Sequence, residues 1–240
     1  SLGGLVSNTG IVTAKLGKIF LGSGEKITVD FVGDGLMKVT IPISKLGNIK
    51  DIKGRTLKSI VSNKGTLKAN GGVIQLSAAD AQYLSRGTVN LSQSGKIYAR
   101  NVGNKSGRIV IGGPNNQSIN LAGTLDASSR HQIQAQNKNS VVAISGGDIK
   151  LKGNIYAKNH KTKSVNIKAR GNLELNNKII ASGNKFGGEI MLNSGNSTIK
   201  SPSSYLDVSG GFKGGRITSG SKMTNESSGG LNASSASGYG

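Results

Sequence analysis

Cysteine and tryptophan are absent from the 240-residue chain, and aromatic residues of every kind make up 4% of it. The first absence excludes a disulfide framework, thiolate catalysis and Cys-ligated metal. The scarcity of rings leaves too little bulky apolar material for an ordinary α/β enzyme core. Three prolines are too few for a proline-rich disordered linker. No stretch approaches the roughly 18 consecutive apolar residues of a membrane-spanning helix, so no membrane insertion is expected. Acidic side chains number 11 against 31 Lys and Arg, a formal charge of +20. A surface of that sign favours anionic partners such as nucleic acid, acidic glycans, lipopolysaccharide or an anionic membrane face. The chain opens on Ser1-Leu-Gly-Gly4 in mid-pattern, without a charged and apolar leader, so a segment of something longer is expected.

What the chain does contain is a repeat. Gly-x-φ-x-Ala, with φ aliphatic, occurs at Gly10–Ala14, Gly65–Ala69, Gly95–Ala99, Gly123–Ala127 and Gly153–Ala157, with degraded copies at Asn177–Ala181 and Ser204–Val208. From position 95 onward the copies start 28, 30, 24 and 27 residues apart. A second series of alternating segments comprises Lys18–Leu21, Val73–Leu76, Arg108–Ile111, Val141–Ile144, Val165–Ile167 and Glu189–Leu192. A third comprises Ile27–Val29, Ile119–Leu121, Ile149–Leu151 and Leu173–Leu175. Three period-two strands per 24–30 residues, separated by Gly, Asn and Ser turns, predict one coil of a parallel β-helix. The inward column of one face is then Leu67, Ile97, Leu125, Ile155 and Ile179, a ladder that needs no aromatics. The Leu-x-x-Leu-x-Leu spacing of leucine-rich repeats and the Gly-Gly-x-Gly-x-Asp of calcium-binding nonapeptides are both missing, and a propeller blade would be longer.

The expectation is therefore an all-β solenoid of about seven or eight three-strand coils, a single domain over 1–218. Residues 30–62 break the rhythm, and Gly33-Asp-Gly35 predicts a tight hairpin there, an antiparallel excursion beside the solenoid. The run Ala78–Leu84 predicts a short helical turn. Residues 219–240, nearly without aliphatics, predict a Gly/Ser-rich tail or an incomplete last turn.

Four phrases, in order, resemble the filamentous-haemagglutinin-like exoproteins of bacterial two-partner secretion: GEKITVDFVGDGLMKVTI (24–41), SNKGTLKANGGVIQLSAADAQYL (62–84), SGRIVIGG (106–113) and AGTLDASS (122–129). The resemblance implies a right-handed parallel β-helix, secretion to the bacterial cell surface, an outer-membrane two-partner-secretion transporter as partner, and display or adhesion as the work. The Asn-Pro-Asn-Gly segment of the family's secretion domain is missing, and the nearest string is Gly113-Pro-Asn-Asn116. No family site residue carries over.

Candidate chemistry is sparse. His131 and His160 read as exposed loop residues. The acids are scattered singly, as at Asp126, Asp148, Glu174 and Glu189, whereas β-helical polysaccharide-active enzymes need clustered carboxylates. No catalytic residue, metal site or cofactor is expected, and the chain is read as a monomer that is not an enzyme. The one candidate binding feature is the basic run Lys150, Lys152, Lys158, Lys161, Lys163, Lys168 and Arg170, with no acid between 149 and 173. Around one coil it would form a cationic girdle for host-surface or other anionic glycans. Lys150, Glu174 and Lys200 are expected in matching outward positions. Tyr98 and Tyr156 share an outward column with Asp126 between them, an arrangement that could support glycan contact. Specific nucleic-acid binding is not expected, because neither stacking aromatics in a groove nor recognition helices are evident.

Overall fold

The computed structural model describes residues 2–3, 5–23, 26–29, 37–40, 61–78, 89–112, 118–132, 141–161 and 164–237. None of the described residues is helical. Three sheets of eight parallel strands run the length of the molecule, and the chain visits them in strict rotation. The fourth coil is typical: Arg108–Gly112 lies in the first sheet, Ile119–Leu121 in the second and Thr124–Asp126 in the third. The next coil repeats the circuit with Val142–Gly146, Ile149–Leu151 and Ile155–Tyr156. The protein is a parallel β-helix of eight three-strand coils.

Alternation makes each strand, and burial fixes its register. Side chains of a strand point to opposite faces in turn, so a three-residue strand sends its flanks or its centre inward. In the third sheet the centre goes in: Leu67 pairs with Ile97, Ile97 with Leu125, Leu125 with Ile155, and Ile155 with Ile179. All five are fully buried. In the second sheet the flanks go in, and Val61, Val89, Ile119, Ile149 and Leu173 stack as another buried column. A one-residue slip would reverse inside and outside on a whole face. Burying each such side chain is worth about 1.5–3 kcal/mol, which is what makes the register unique.

The corners are as repetitive as the strands. Between the second and third sheets sits a column of small residues at 10, 65, 95, 123 and 153. A Cβ on Gly123 would lie 2.1 Å from the Gly95 carbonyl oxygen, and one on Gly153 would lie 1.8 Å from that of Gly123. Gly123 and Gly153 are therefore each required by the coil below. In the sixth coil Asn177 takes the position and donates its amide to the Gly153 carbonyl at 2.9 Å. The pair Gly71-Gly72 turns the chain from the third sheet into the first. Gly71 has a φ of +69°, and a Cβ on Gly72 would fall 1.9 Å from the Gly17 carbonyl. Lower down, Asn8 donates to Asn63 one coil away at 2.7 Å, a short amide ladder at the end of the second sheet.

Several expectations need correction. Ile27–Val29 is not a rung of the second sheet. It belongs to Lys26–Val29, which pairs antiparallel with Met37–Thr40 in a separate two-stranded sheet. The excursion therefore exists, but it ends earlier than expected. Val61–Asn63 is already a strand of the second coil, paired with Val6–Asn8 on one side and Val89–Leu91 on the other. The hairpin turn expected at 33–35 and the helical turn expected after Ala78 lie outside the described residues. The stretch expected as a tail or incomplete turn carries most of a full eighth coil: Arg216–Ser221, Thr224–Ser227 and Gly230–Asn232 each pair in parallel with the coil before. Parallel backbone pairing holds it there, with Ile217 stacked on Ile190 and packed against the core.

Lys200 is the last correction. Glu174 pairs with Ile199, and Lys200 pairs with Leu175, in the inward column. Ile199 is 42% exposed and Lys200 only 4%. The preceding inward position is taken by Thr198, whose hydroxyl donates to Ser194 Oγ at 2.9 Å. At the seventh coil the inner face of the second sheet thus turns polar, while Ile190, Leu192 and Leu206 keep the other two faces aliphatic.

Candidate functional site

The seven basic residues read from the sequence lie round the perimeter. Lys150 is on the second sheet, where its ammonium meets Glu174 Oε1 at 2.8 Å. The Glu174 carboxylate raises the Lys150 pKa above its usual value, by hydrogen bond first and charge second. Lys152 is exposed just past that strand, Lys158 just past the third sheet, and Lys161 in the corner that follows. Lys168 points outward from the first sheet, and Arg170 ends it. Lys163 lies outside the described residues. A coil closes on itself, so a basic run along one coil points in every direction and presents no shared face.

What meets in space is one coil apart. The outer edge of the third sheet carries a concave groove of about 770 Å³ lined by Arg100, Asp126, Ser128, Arg130, Tyr156 and Lys158, among others. Arg100, Ser128 and Lys158 occupy successive rungs: Asn101 N–H donates to the Ser128 carbonyl, and Ser129 N–H to that of Lys158. At about 4.8 Å per rung, three coils place these side chains along the shaft axis. Of the seven residues read as a patch, only Lys158 lines this groove.

Asp126 organises the groove. It is only 7% exposed. Its Oδ1 accepts from Ser128 N–H at 2.9 Å, and its Oδ2 accepts Arg100 Nε at 2.7 Å and meets Nη2 at 2.6 Å. Both oxygens are thus engaged by the protein, and Arg100 is held by a charge-assisted fork. The Arg100 side chain remains 55% exposed. Tyr98 and Tyr156 flank Asp126 in the same outward column, as expected. Each ring carries a cation: the Arg100 guanidinium lies 5.0 Å from the Tyr98 centroid, and the Lys158 ammonium 5.8 Å from that of Tyr156. These are cation–π distances. They pre-position both the charge and the ring.

The histidines part company. His131 is exposed, as expected, but His160 is fully buried. Asn159 before it adopts a φ of +62° and donates its amide to the Ser129 carbonyl at 2.9 Å. That turn folds the corner inward. His160 Nε2–H donates to the Ala127 carbonyl at 2.8 Å, and Nδ1 is buried without a hydrogen-bond partner. Burial lowers its pKa, opposed by the Ala127 bond. Its surroundings are those of a neutral structural imidazole. Among the described residues no group of three or more His, Cys, Asp or Glu could hold a metal ion.

No family model matches the chain, and no curated protein matches it.

Proposed function

We propose that the chain is the shaft of a secreted bacterial surface exoprotein of the filamentous-haemagglutinin type. On this reading it leaves the cell through an outer-membrane two-partner-secretion transporter and serves display and adhesion. The observation that carries the reading is the stack itself: eight coils in one register, each strand paired with its counterparts in the adjacent coils. Seven intervals of about 4.8 Å give a rod of roughly 34 Å from strands alone. Such a stack lengthens by adding coils without redesigning the core. Folding of a solenoid can nucleate in one region and propagate coil by coil, which suits a chain that emerges unfolded through a pore. The lack of cysteine removes any need for oxidative folding after export. The ordered phrases of the sequence add to this support, since 62–78 and 106–112 fall on consecutive coils that obey the repeat.

Antibodies against the purified chain test the proposal on the cells that make the parent protein. The parent is expected at the surface or in the medium, open to added protease, and retained inside when the transporter is deleted. A parent that stays in the cytoplasm of unmodified cells overturns the reading.

A further inference from the structure

We infer that the groove at the edge of the third sheet binds an acidic glycan, with uronate carboxylates on its cations and a pyranose ring at the edge of Tyr156. The inference rests on the surface reading above and gives that surface a ligand chemistry. Three features of the groove converge on it.

The first is charge that is already sorted. Asp126 spends both oxygens on Ser128 N–H and on Arg100. Two of the five guanidinium donors of Arg100 go to that carboxylate. Arg130 and Lys158 add two more exposed cations to a lining whose one carboxylate, Asp126, is already engaged by Arg100. The groove therefore offers net positive charge in which one member is fixed in direction. Fixed guanidinium groups favour planar, bidentate anions such as carboxylates.

The second is the pairing of ring and cation. Tyr156 with Lys158 lines the groove, and Tyr98 with Arg100 repeats the unit two rungs away in an adjoining hollow that shares Asn70 and Arg100. A uronate residue has the matching composition: an apolar ring face and one carboxylate at its edge. Ser128, Ser129 and Asn70 supply the hydroxyl and amide groups that sugar hydroxyls need.

The third is the repeat itself. Rungs about 4.8 Å apart are close to the length of one pyranose unit in an extended chain. The groove is open along the axis, and a second polar hollow continues from Lys158 past Asn159, Asn184 and Gly211 at the same corner. A polymer can therefore lie across several coils. Nucleic acid fits less well, because the phosphates of an extended strand are spaced more widely than the rungs.

Fluorescence anisotropy with labelled hexagalacturonate tests this, with maltohexaose and hexathymidylate as comparison probes. The chain is expected to bind hexagalacturonate and not maltohexaose. The double variant R130A/K158A is expected to weaken binding at least tenfold, and Tyr156→Ala about as much. A control that removes the same charge elsewhere, K152A/K168A, is expected to change it less than threefold. Unaltered urea midpoints for these exposed substitutions confirm that the shaft is intact. Equal losses in the groove and control variants, hexathymidylate binding as tight as hexagalacturonate, or no binding of hexagalacturonate would each overturn the inference. Groove binding that survives while the parent proves cytoplasmic rejects the surface reading alone and leaves this site standing.

Discussion

Gly123→Ala, set against Gly10→Ala, asks whether the corners are stacked as tightly as the fold requires. Both glycines hold the same place in the repeat. A Cβ at Gly10 meets nothing within 4 Å, because no coil lies beneath it among the described residues. A Cβ at Gly123 meets the Gly95 carbonyl oxygen at 2.1 Å, the Ser92 carbonyl oxygen at 2.5 Å and Leu91 Cγ at 2.9 Å. Two of those three are backbone atoms and have no rotamer through which to retreat. The corner must open, which strains the rung bond from Thr124 N–H to the Gly95 carbonyl, now 3.0 Å. Overpacking of this kind costs about 1–3 kcal/mol, and a weakened buried backbone bond adds about 1 kcal/mol. The total expected loss is about 2–4 kcal/mol. Gly10→Ala is expected to be neutral or to stabilise by about 0.4–1 kcal/mol, through reduced freedom of the unfolded chain. Urea titration reads the difference as a lower midpoint for the Gly123 variant. Native-state hydrogen exchange should place the damage in the third to fifth coils, since a solenoid couples only neighbours. Equal midpoints for the two variants would refute the stacked-corner account.

Three further outcomes follow from named side chains. Leu125→Ala removes a fully buried side chain between Ile97 and Ile155 and is expected to cost about 2–5 kcal/mol by urea titration; a loss under 1 kcal/mol contradicts the packed column. His160 has a folded pKa below its ordinary 6.5, so the stability due to its neutral form is present above pH 6.5 and lost as pH falls through the lowered folded value. Urea midpoints should decline as pH falls below about 6.5, and His160→Gln should flatten the decline down to about pH 5, above the ordinary carboxylate range; an unchanged slope contradicts the buried assignment. Lys200, whose pKa burial lowers, gains stability as pH rises toward 10.5. Lys200→Met is expected to raise the unfolding free energy by about 1 kcal/mol and to remove that alkaline gain; a lower urea midpoint contradicts the inward placement.

Much of this architecture was legible because a solenoid writes its contacts at a fixed sequence interval. The column Leu67, Ile97, Leu125, Ile155 and Ile179 is visible as one aliphatic position per repeat. The misplaced rung has a physical origin. Ile27-Thr-Val29 alternates as well as any strand, whereas the true occupant, Val61-Ser62-Asn63, has a single aliphatic residue and relies on amide bonding at its end. Lys200 misled because Thr198, a small polar residue, fills an inward slot through its bond to Ser194. His160 could not be told from a loop residue without the positive φ at Asn159. The groove was missed for a simpler reason. Basic residues were gathered along one coil, while neighbours in space lie one repeat apart: Arg100 to Lys158 spans two repeats of 28 and 30 residues. Aligning cations and tyrosines by their place in the repeat would have found it.

The in-register stack itself is open to one direct measurement. Thr66, Lys96, Thr124, Asn154, Lys178 and Tyr205 follow one another along a single column of the third sheet, five rungs from end to end. With no native cysteine, the double variant T66C/Y205C takes spin labels at those two sites alone. Pulsed dipolar spectroscopy should give one narrow distance near 24 Å, five intervals of about 4.8 Å, widened only by the label arms. A broad distribution, or a separation beyond about 40 Å for these two strands, would contradict the parallel β-helix.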